Sequence, residues 1–143
     1  MQAVFLDKGT FSEGIDLPAP MGVSDYITYN DTPKDTAVII ERCKDADIII
    51  TNKVQIGAEV IEQLPKLKLI QLTATGMNNV DQEACDKHGV ALFNVAGYAV
   101  KSVPEHTFML MLTAMRAGIH YHQKVADGTW LANGNFCLLD IPL

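Results

Sequence analysis

Asp47-Ile-Ile-Ile-Thr51 is the stretch that decides the fold, because it is a short, uninterrupted apolar run of strand length. Similar runs, each followed by a loop and a helical pattern, occur at residues 3–6, 26–29, 68–73 and 91–95. Near-continuous apolar strands that alternate with helices are typical of a parallel sheet covered on both faces. The sequence therefore predicts an α/β fold with a flavodoxin-like parallel sheet in the strand order 2-1-3-4-5.

Helices are indicated between these runs, at residues 35–44, 58–63 and 82–88. Asp81 is a good N-cap for the last of them, and Gly89 is a good C-terminal stop. Residues 12–23 hold two prolines and two glycines, so an irregular segment is expected where a first helix would stand.

A second feature is the segment Val103-Pro-Glu-His-Thr-Phe-Met-Leu-Met-Leu-Thr-Ala-Met-Arg116, which is apolar around nearly its whole circumference. Such a helix is buried against something large. We predict one helix from Val103 to Val125, whose apolar surface packs on a partner subunit or another domain. The predicted organisation is a sheet domain over residues 1–100, followed by this helix and a connector over residues 101–143. The methionines of the helix suit core filling and an interface equally well.

The composition excludes some functions. With 143 residues and 48% hydrophobic content, the chain fits one ordinary domain. A net charge of -6 without a basic cluster argues against nucleic-acid binding. Cys43, Cys85 and Cys137 are widely spaced, as in thiols of a reducing, cytoplasmic compartment. Neither a signal peptide nor a membrane span is expected.

Ligands of such sheets bind beyond the carboxyl ends of the strands. One candidate there is the small-residue turn Thr73-Ala-Thr-Gly-Met-Asn-Asn-Val-Asp81, whose backbone N–H groups suit a carboxylate. A tight turn followed by an N-cap explains the same pattern, and the pattern alone favours that interpretation. Lys53 suits a carboxylate partner or, more commonly, a solvated loop position.

Several familiar sites are missing from the sequence. It has no GxGxxG, so no dinucleotide pyrophosphate site is predicted. A phosphate loop is excluded because Val100 stands where the motif requires glycine. No metal site is predicted, since His120 and His122 would lie on different helix faces. Glu105 is an ordinary residue in the first turn of a helix, where a carboxylate interacts favourably with the helix dipole. His106 is interpreted as a packed, hydrogen-bonded histidine, not as a general base.

Several segments together resemble, in order and spacing, the N-terminal substrate domain of D-isomer-specific 2-hydroxyacid dehydrogenases. They are residues 45–53, 64–70, 74–81, 88–90, 94–98, 103–107, 128–130 and 136–142. Phe136-Cys-Leu-Leu-Asp-Ile-Pro142 is most similar to the glycerate dehydrogenase and hydroxypyruvate reductase branch. The resemblance implies a flavodoxin-like domain, a long C-terminal helix that crosses to a Rossmann domain, and a homodimer formed through that helix. It also implies that this sequence ends before the Rossmann domain.

The resemblance further implies reduction of a small 2-keto acid such as hydroxypyruvate to a D-2-hydroxy acid. NAD or NADP would be the cofactor of the intact enzyme, and none is expected to bind this chain tightly. The family's catalytic arginine, glutamate and histidine lie beyond this sequence. No catalytic residue is therefore assigned, and His106 and Arg116 are not given those roles.

Residue by residue, Ala74, Thr75 and Gly76 match the family loop whose N–H groups hold the substrate carboxylate. Asn52 and Lys53 match the neighbouring substrate-side loop. Val103 matches a position near the nicotinamide, although Val103-Pro104 departs from the threonine and alanine common there. The alternative function is a stand-alone flavodoxin-like domain that binds small carboxylates or a partner without catalysis. The apolar run over residues 108–112 leaves no polar helix face, which favours the dehydrogenase interpretation.

Overall fold

The computed structural model of the chain describes residues 1–134. They divide into two compact units, Met1–Gly97 and a second unit that begins at Tyr98.

The first unit is built on a five-stranded sheet in the order β2-β1-β3-β4-β5, and every neighbouring pair is parallel. This confirms the predicted fold class and strand order. The strands are β1 Gln2–Phe5, β2 Asp25–Thr28, β3 Ile48–Thr51, β4 Leu69–Leu72 and β5 Ala91–Phe93.

Three helices of this unit are α1 Thr36–Cys43, α2 Ala58–Ile61 and α3 Gln82–His88. The predicted caps of α3 are present, because Asp81 accepts a hydrogen bond from the Ala84 N–H at 2.9 Å and Gly89 has a φ of 68°. The chain forms a 3-10 turn at Lys8–Thr10, and residues 12–23 contain neither helix nor strand, as the prolines and glycines predict.

The core lies on both faces of the three inner strands. Consecutive residues are buried in β1 and in β3, and Val4, Ile49 and Ile70 are completely inaccessible to solvent. Burial of neighbouring residues, whose side chains point to opposite faces, requires cover on both sides of the sheet. Polar residues follow where β1 and β3 end, which places Asp7 and Asn52 at the carboxyl edge.

The second unit contains α4 Ser102–Met115, α5 Gly118–Ala126 and α6 Thr129–Asn133. The prediction of one continuous helix from Val103 to Val125 was wrong. Ala117 takes the left-handed conformation, with a φ of 50°, and separates α4 from α5. Gly118 then approaches Thr113 so closely that an added Cβ would lie 3.2 Å from its Cγ2.

The apolar side chains of α4 are exposed. Phe108 is 60% exposed, and Leu110 and Leu112 are more than half exposed. None of the helices within residues 1–134 combines the length and apolar character needed to cross a membrane.

Candidate functional site

A cavity of about 340 Å³ opens at the carboxyl edge of the sheet, between the loops that follow β3 and β4. It is lined by Asn52, Lys53, Gln55, Ala74, Gly76, Asn78 and Asn79. The structure thus brings together four of the residues to which the sequence assigns substrate binding: Asn52, Lys53, Ala74 and Gly76. Thr75 is not among the lining residues, and its hydroxyl donates to the Val95 carbonyl at 3.1 Å.

The loop after β4 is anchored through its carbonyl groups. The Ala74 carbonyl accepts from the Val95 N–H at 3.0 Å, and the Thr75 carbonyl accepts from Asn94 Nδ2 at 2.6 Å. No atom of residues 1–134 accepts a hydrogen bond from the N–H groups of Ala74, Thr75 or Gly76. Successive backbone N–H groups without a protein acceptor make a concavity suited to an anion.

Lys53 supplies a cation at the same cavity. Its side chain is exposed, and within the described chain no carboxylate lies in ion-pair range of its ammonium group. By contrast, Lys66 pairs with Asp45 at 2.6 Å and Lys68 with Asp47 at 2.6 Å. An unpaired ammonium beside free N–H groups favours a carboxylate or a phosphate ligand.

Sequence reasoning missed part of this site. Gln55 lines the cavity although no motif marks it, and Asn78 and Asn79 line it although the pattern of their turn indicated no role for them. Asp7 is 2% exposed and holds the loop after β3 through backbone N–H groups, although it lies 45 residues away in sequence. Its position just beyond the carboxyl end of β1 marks it as a residue to inspect, because neighbouring parallel strands end at the same edge, but the sequence does not show what it holds.

Two further cavities lie in the first unit. One, of about 390 Å³, adjoins the candidate site and shares Gln55, Asn78 and Asn79 with it. The other, of about 320 Å³, is bordered by the segment after β1, including Lys8, and by Asn30.

Cys43 and Cys85 are poor nucleophiles. Burial raises the pKa of the Cys43 thiol to about 12 and also raises that of Cys85, so both stay protonated near neutral pH. Cys137 lies outside the described residues. Within residues 1–134, no group of three or more side chains has the composition and spacing of a metal site.

Val103 belongs to the second unit, in the first turn of α4. It is 60% exposed, and its carbonyl accepts from the Thr107 hydroxyl at 2.8 Å. Its proposed place near a nicotinamide stays a prediction. Glu105 in the same turn is a carboxylate, which would repel a pyrophosphate at this helix end. Together with the absence of GxGxxG, this means that the described residues do not fit a dinucleotide site.

The chain is similar to sequences of one protein family. The family model of the D-isomer specific 2-hydroxyacid dehydrogenase catalytic domain matches residues 11–131. A putative 2-hydroxyacid dehydrogenase of Haemophilus influenzae is 39% identical over the whole chain, which covers 45% of that relative. Glycerate dehydrogenase of Methylorubrum extorquens is 40% identical over 73% of the chain and 33% of its own length. Hydroxypyruvate reductase of Blautia hydrogenotrophica is 32% identical over the whole chain and 45% of its own length.

Solved structures share the fold of the chain. The pyruvate reductase of Chlamydomonas reinhardtii has a TM-score of 0.63 and 25% identity, over 99% of this chain and 40% of that one. An acyclic imino acid reductase in complex with NADPH and D-Arg shares the fold at a TM-score of 0.73 and 23% identity, over 90% of this chain and 41% of that one. The chain thus spans less than half the length of these relatives. It belongs to the D-isomer-specific 2-hydroxyacid dehydrogenase family.

Proposed function

We propose that the chain is the substrate-binding domain of an NAD(P)-dependent D-2-hydroxyacid dehydrogenase. In this proposal the carboxylate of a 2-keto or 2-hydroxy acid binds in the cavity at the carboxyl edge of the sheet. The N–H groups of Ala74, Thr75 and Gly76 donate to the carboxylate oxygens, and the Lys53 ammonium neutralises part of their charge.

One observation carries this proposal. Ala74 and Gly76, whose N–H groups donate to no described acceptor, line the same cavity as the unpaired Lys53, at the edge of the sheet where ligands bind in such folds. The names of the relatives support the substrate class, since two of them are a glycerate dehydrogenase and a hydroxypyruvate reductase. We therefore propose hydroxypyruvate and D-glycerate as the substrate pair.

Titration of the ¹⁵N-labelled chain with D-glycerate tests the site directly. We expect the amide resonances of Ala74, Thr75 and Gly76 to shift and to saturate at millimolar ligand, whereas glycerol, which lacks the carboxylate, leaves them unchanged. Unchanged resonances at saturating D-glycerate would refute the proposal and leave the alternative of a domain without a carboxylate site.

A matched pair of lysine variants tests the ammonium. Lys53→Met should weaken D-glycerate binding about fivefold, which corresponds to the ~1 kcal/mol typical of an exposed charge pair. Lys66→Met is the control, because Lys66 is also exposed but pairs with Asp45. Asp45 precedes β3 and Lys66 precedes β4, so this pair lies at the opposite edge of the sheet from the cavity. Equal effects of the two changes would show that Lys53 contributes only through the net charge.

The proposed cofactor is NAD or NADP, and it requires residues that the described chain lacks. Among the similar structures, an NAD-dependent formate dehydrogenase of Staphylococcus aureus was solved in complex with NAD. When bound, such a cofactor supplies the hydride. We expect NADH fluorescence titration of this chain to show no micromolar binding. NADH-dependent reduction of hydroxypyruvate is to be measured on the protein expressed from the full natural reading frame.

We further propose a homodimer formed through the exposed apolar side chains of α4. Met111 is 45% exposed on this helix, and Met21 is fully exposed in the first unit. Met111→Glu should shift the species observed by sedimentation velocity toward monomer, whereas Met21→Glu should leave it unchanged. A wild-type chain that stays monomeric at high concentration would contradict the dimer. A cytoplasmic location, expected from the cysteine usage, stays a prediction.

A further inference from the structure

Buried polar side chains are concentrated on one loop of the first unit. Within residues 1–134, the buried polar or charged residues are Asp7, Thr32, Thr51 and Asn79. All except Thr32 hydrogen-bond to the backbone of residues 52–54. This loop carries Asn52 and Lys53, which line the cavity.

Asp7 holds the N–H side of the loop. Its carboxylate accepts from the Asn52 N–H at 2.8 and 3.0 Å and from the Lys53 N–H at 2.6 Å. It is 2% exposed and forms no ion pair within the described residues. A buried carboxylate without a cation is costly unless hydrogen bonds replace its hydration, and here two backbone N–H groups do so.

Thr51 and Asn79 hold the rest of the loop. The Thr51 hydroxyl accepts from the Val54 N–H at 3.1 Å, and Asn79 Nδ2 donates to the Val54 carbonyl at 3.0 Å. The Asn79 carbonyl accepts from the Ile56 N–H at 2.8 Å. Asn79 therefore ties the loop after β3 to the loop after β4, which contributes the free N–H groups of the cavity.

We propose that Asp7, Thr51 and Asn79 are positioning residues that fix Lys53 against the carboxylate-binding N–H groups. This inference rests on the proposed function. Apolar residues of similar size generally stabilise a folded core at least as well as buried charged groups do. A set of buried polar groups that all hold one loop is instead the kind of support that keeps binding groups at a fixed geometry.

The test compares two aspartates of similar chemistry at opposite edges of the sheet. Asp47 accepts from the Gln2 N–H at 2.9 Å and lies directly before β3, whereas Asp7 lies just beyond β1, after Leu6. In Asp7→Asn the side-chain oxygen still accepts one N–H, but the new NH₂ group faces the other donor. The D-glycerate dissociation constant of the full chain is measured by ¹⁵N titration for both variants, and urea unfolding records their stability.

We expect Asp7→Asn to weaken D-glycerate binding at least tenfold and to shift the amide resonances of Asn52 and Lys53 in the free protein. Asp47→Asn should change the affinity less than twofold even if it unfolds as readily. A folded Asp7→Asn protein with unchanged affinity overturns the inference, and so does an equal loss in both variants.

If Asp7→Asn does not fold, Thr51→Val decides the question, because it keeps the size and shape of the side chain. An affinity weakened at least threefold supports the inference, and an unchanged affinity overturns it. Absence of D-glycerate binding by the wild-type chain is a separate outcome, which refutes the proposed carboxylate site and with it the ligand that the loop would serve.

Discussion

Replacement of Thr51 by valine is the sharpest test of how the buried hydroxyl stabilises the sheet edge. Thr51 ends β3 and is completely inaccessible to solvent, and its hydroxyl accepts from the Val54 N–H at 3.1 Å. Valine has the same shape and is also favoured in strands. The variant therefore removes one hydrogen bond without opening a cavity.

The expected cost follows from the group that is left behind. A buried N–H without an acceptor costs about 1–3 kcal/mol. Exchange of a buried hydroxyl for a methyl group returns up to ~0.8 kcal/mol of hydrophobic stabilisation. The free energy of unfolding should therefore fall by about 1–2 kcal/mol. With a urea m-value of about 1.5 kcal/mol/M, the midpoint measured by far-UV circular dichroism should fall by roughly 1 M.

Thr107→Val is the matched control. Its hydroxyl donates to the Val103 carbonyl at 2.8 Å on an exposed helix, where water can replace the hydroxyl as a partner. We expect a change of about 0.5 kcal/mol or less. A Thr51→Val protein as stable as the wild type, with an unchanged m-value, would refute the reasoning, because the Val54 N–H would then have lost nothing.

Three other changes test separate features. Gly9→Ala should lower the free energy of unfolding by about 1–3 kcal/mol in urea titrations, because the new Cβ would stand 2.6 Å from the Asn30 carbonyl oxygen, which belongs to the backbone. Burial raises the pKa of the Cys43 thiol to about 12, whereas a thiol in the unfolded chain has a pKa of about 8.5, so the thiolate forms preferentially in the unfolded chain. The free energy of unfolding should therefore fall as pH rises between these two values. Cys43 should also resist maleimide at pH 8 until urea unfolds the chain. Ala117→Gly should stabilise the helical unit by up to ~1 kcal/mol, followed by Trp130 fluorescence, because glycine adopts the left-handed φ without strain.

The sheet could be predicted from sequence because its signals are local. Each strand is a short apolar run that ends at a loop, and Asp81 and Gly89 mark the ends of α3 in the sequence itself. The break at Ala117 was not predicted. Gly118 is a poor helix former, but alanine is the strongest one, and the close approach of Gly118 to Thr113 is not visible in the sequence.

The candidate site was predictable only in part, for a related reason. Ala74, Gly76 and Lys53 were indicated by resemblance to the family. Asp7 was indicated only by its place after the first strand. Its role was not predictable, because its partners lie 45 and 46 residues away and its hydrogen bonds are made to backbone N–H groups that every residue except proline carries. The identity of Asn52 and Lys53 thus says nothing about what holds them.

The same parallel topology explains why support and recognition occur at one edge of the sheet. The backbone groups of the inner strands pair with neighbouring strands on both sides, so they offer no free N–H group to a ligand. Where the strands end, N–H groups lose their sheet partners and must find others. After β3 the protein supplies these partners through Asp7 and Thr51. After β4 the Thr73 N–H donates to the Thr51 carbonyl, but the next three N–H groups have no acceptor among the described residues. In the proposed function, that difference leaves the N–H groups of residues 74–76 for a small carboxylate and holds the loop that carries Lys53 at the same cavity.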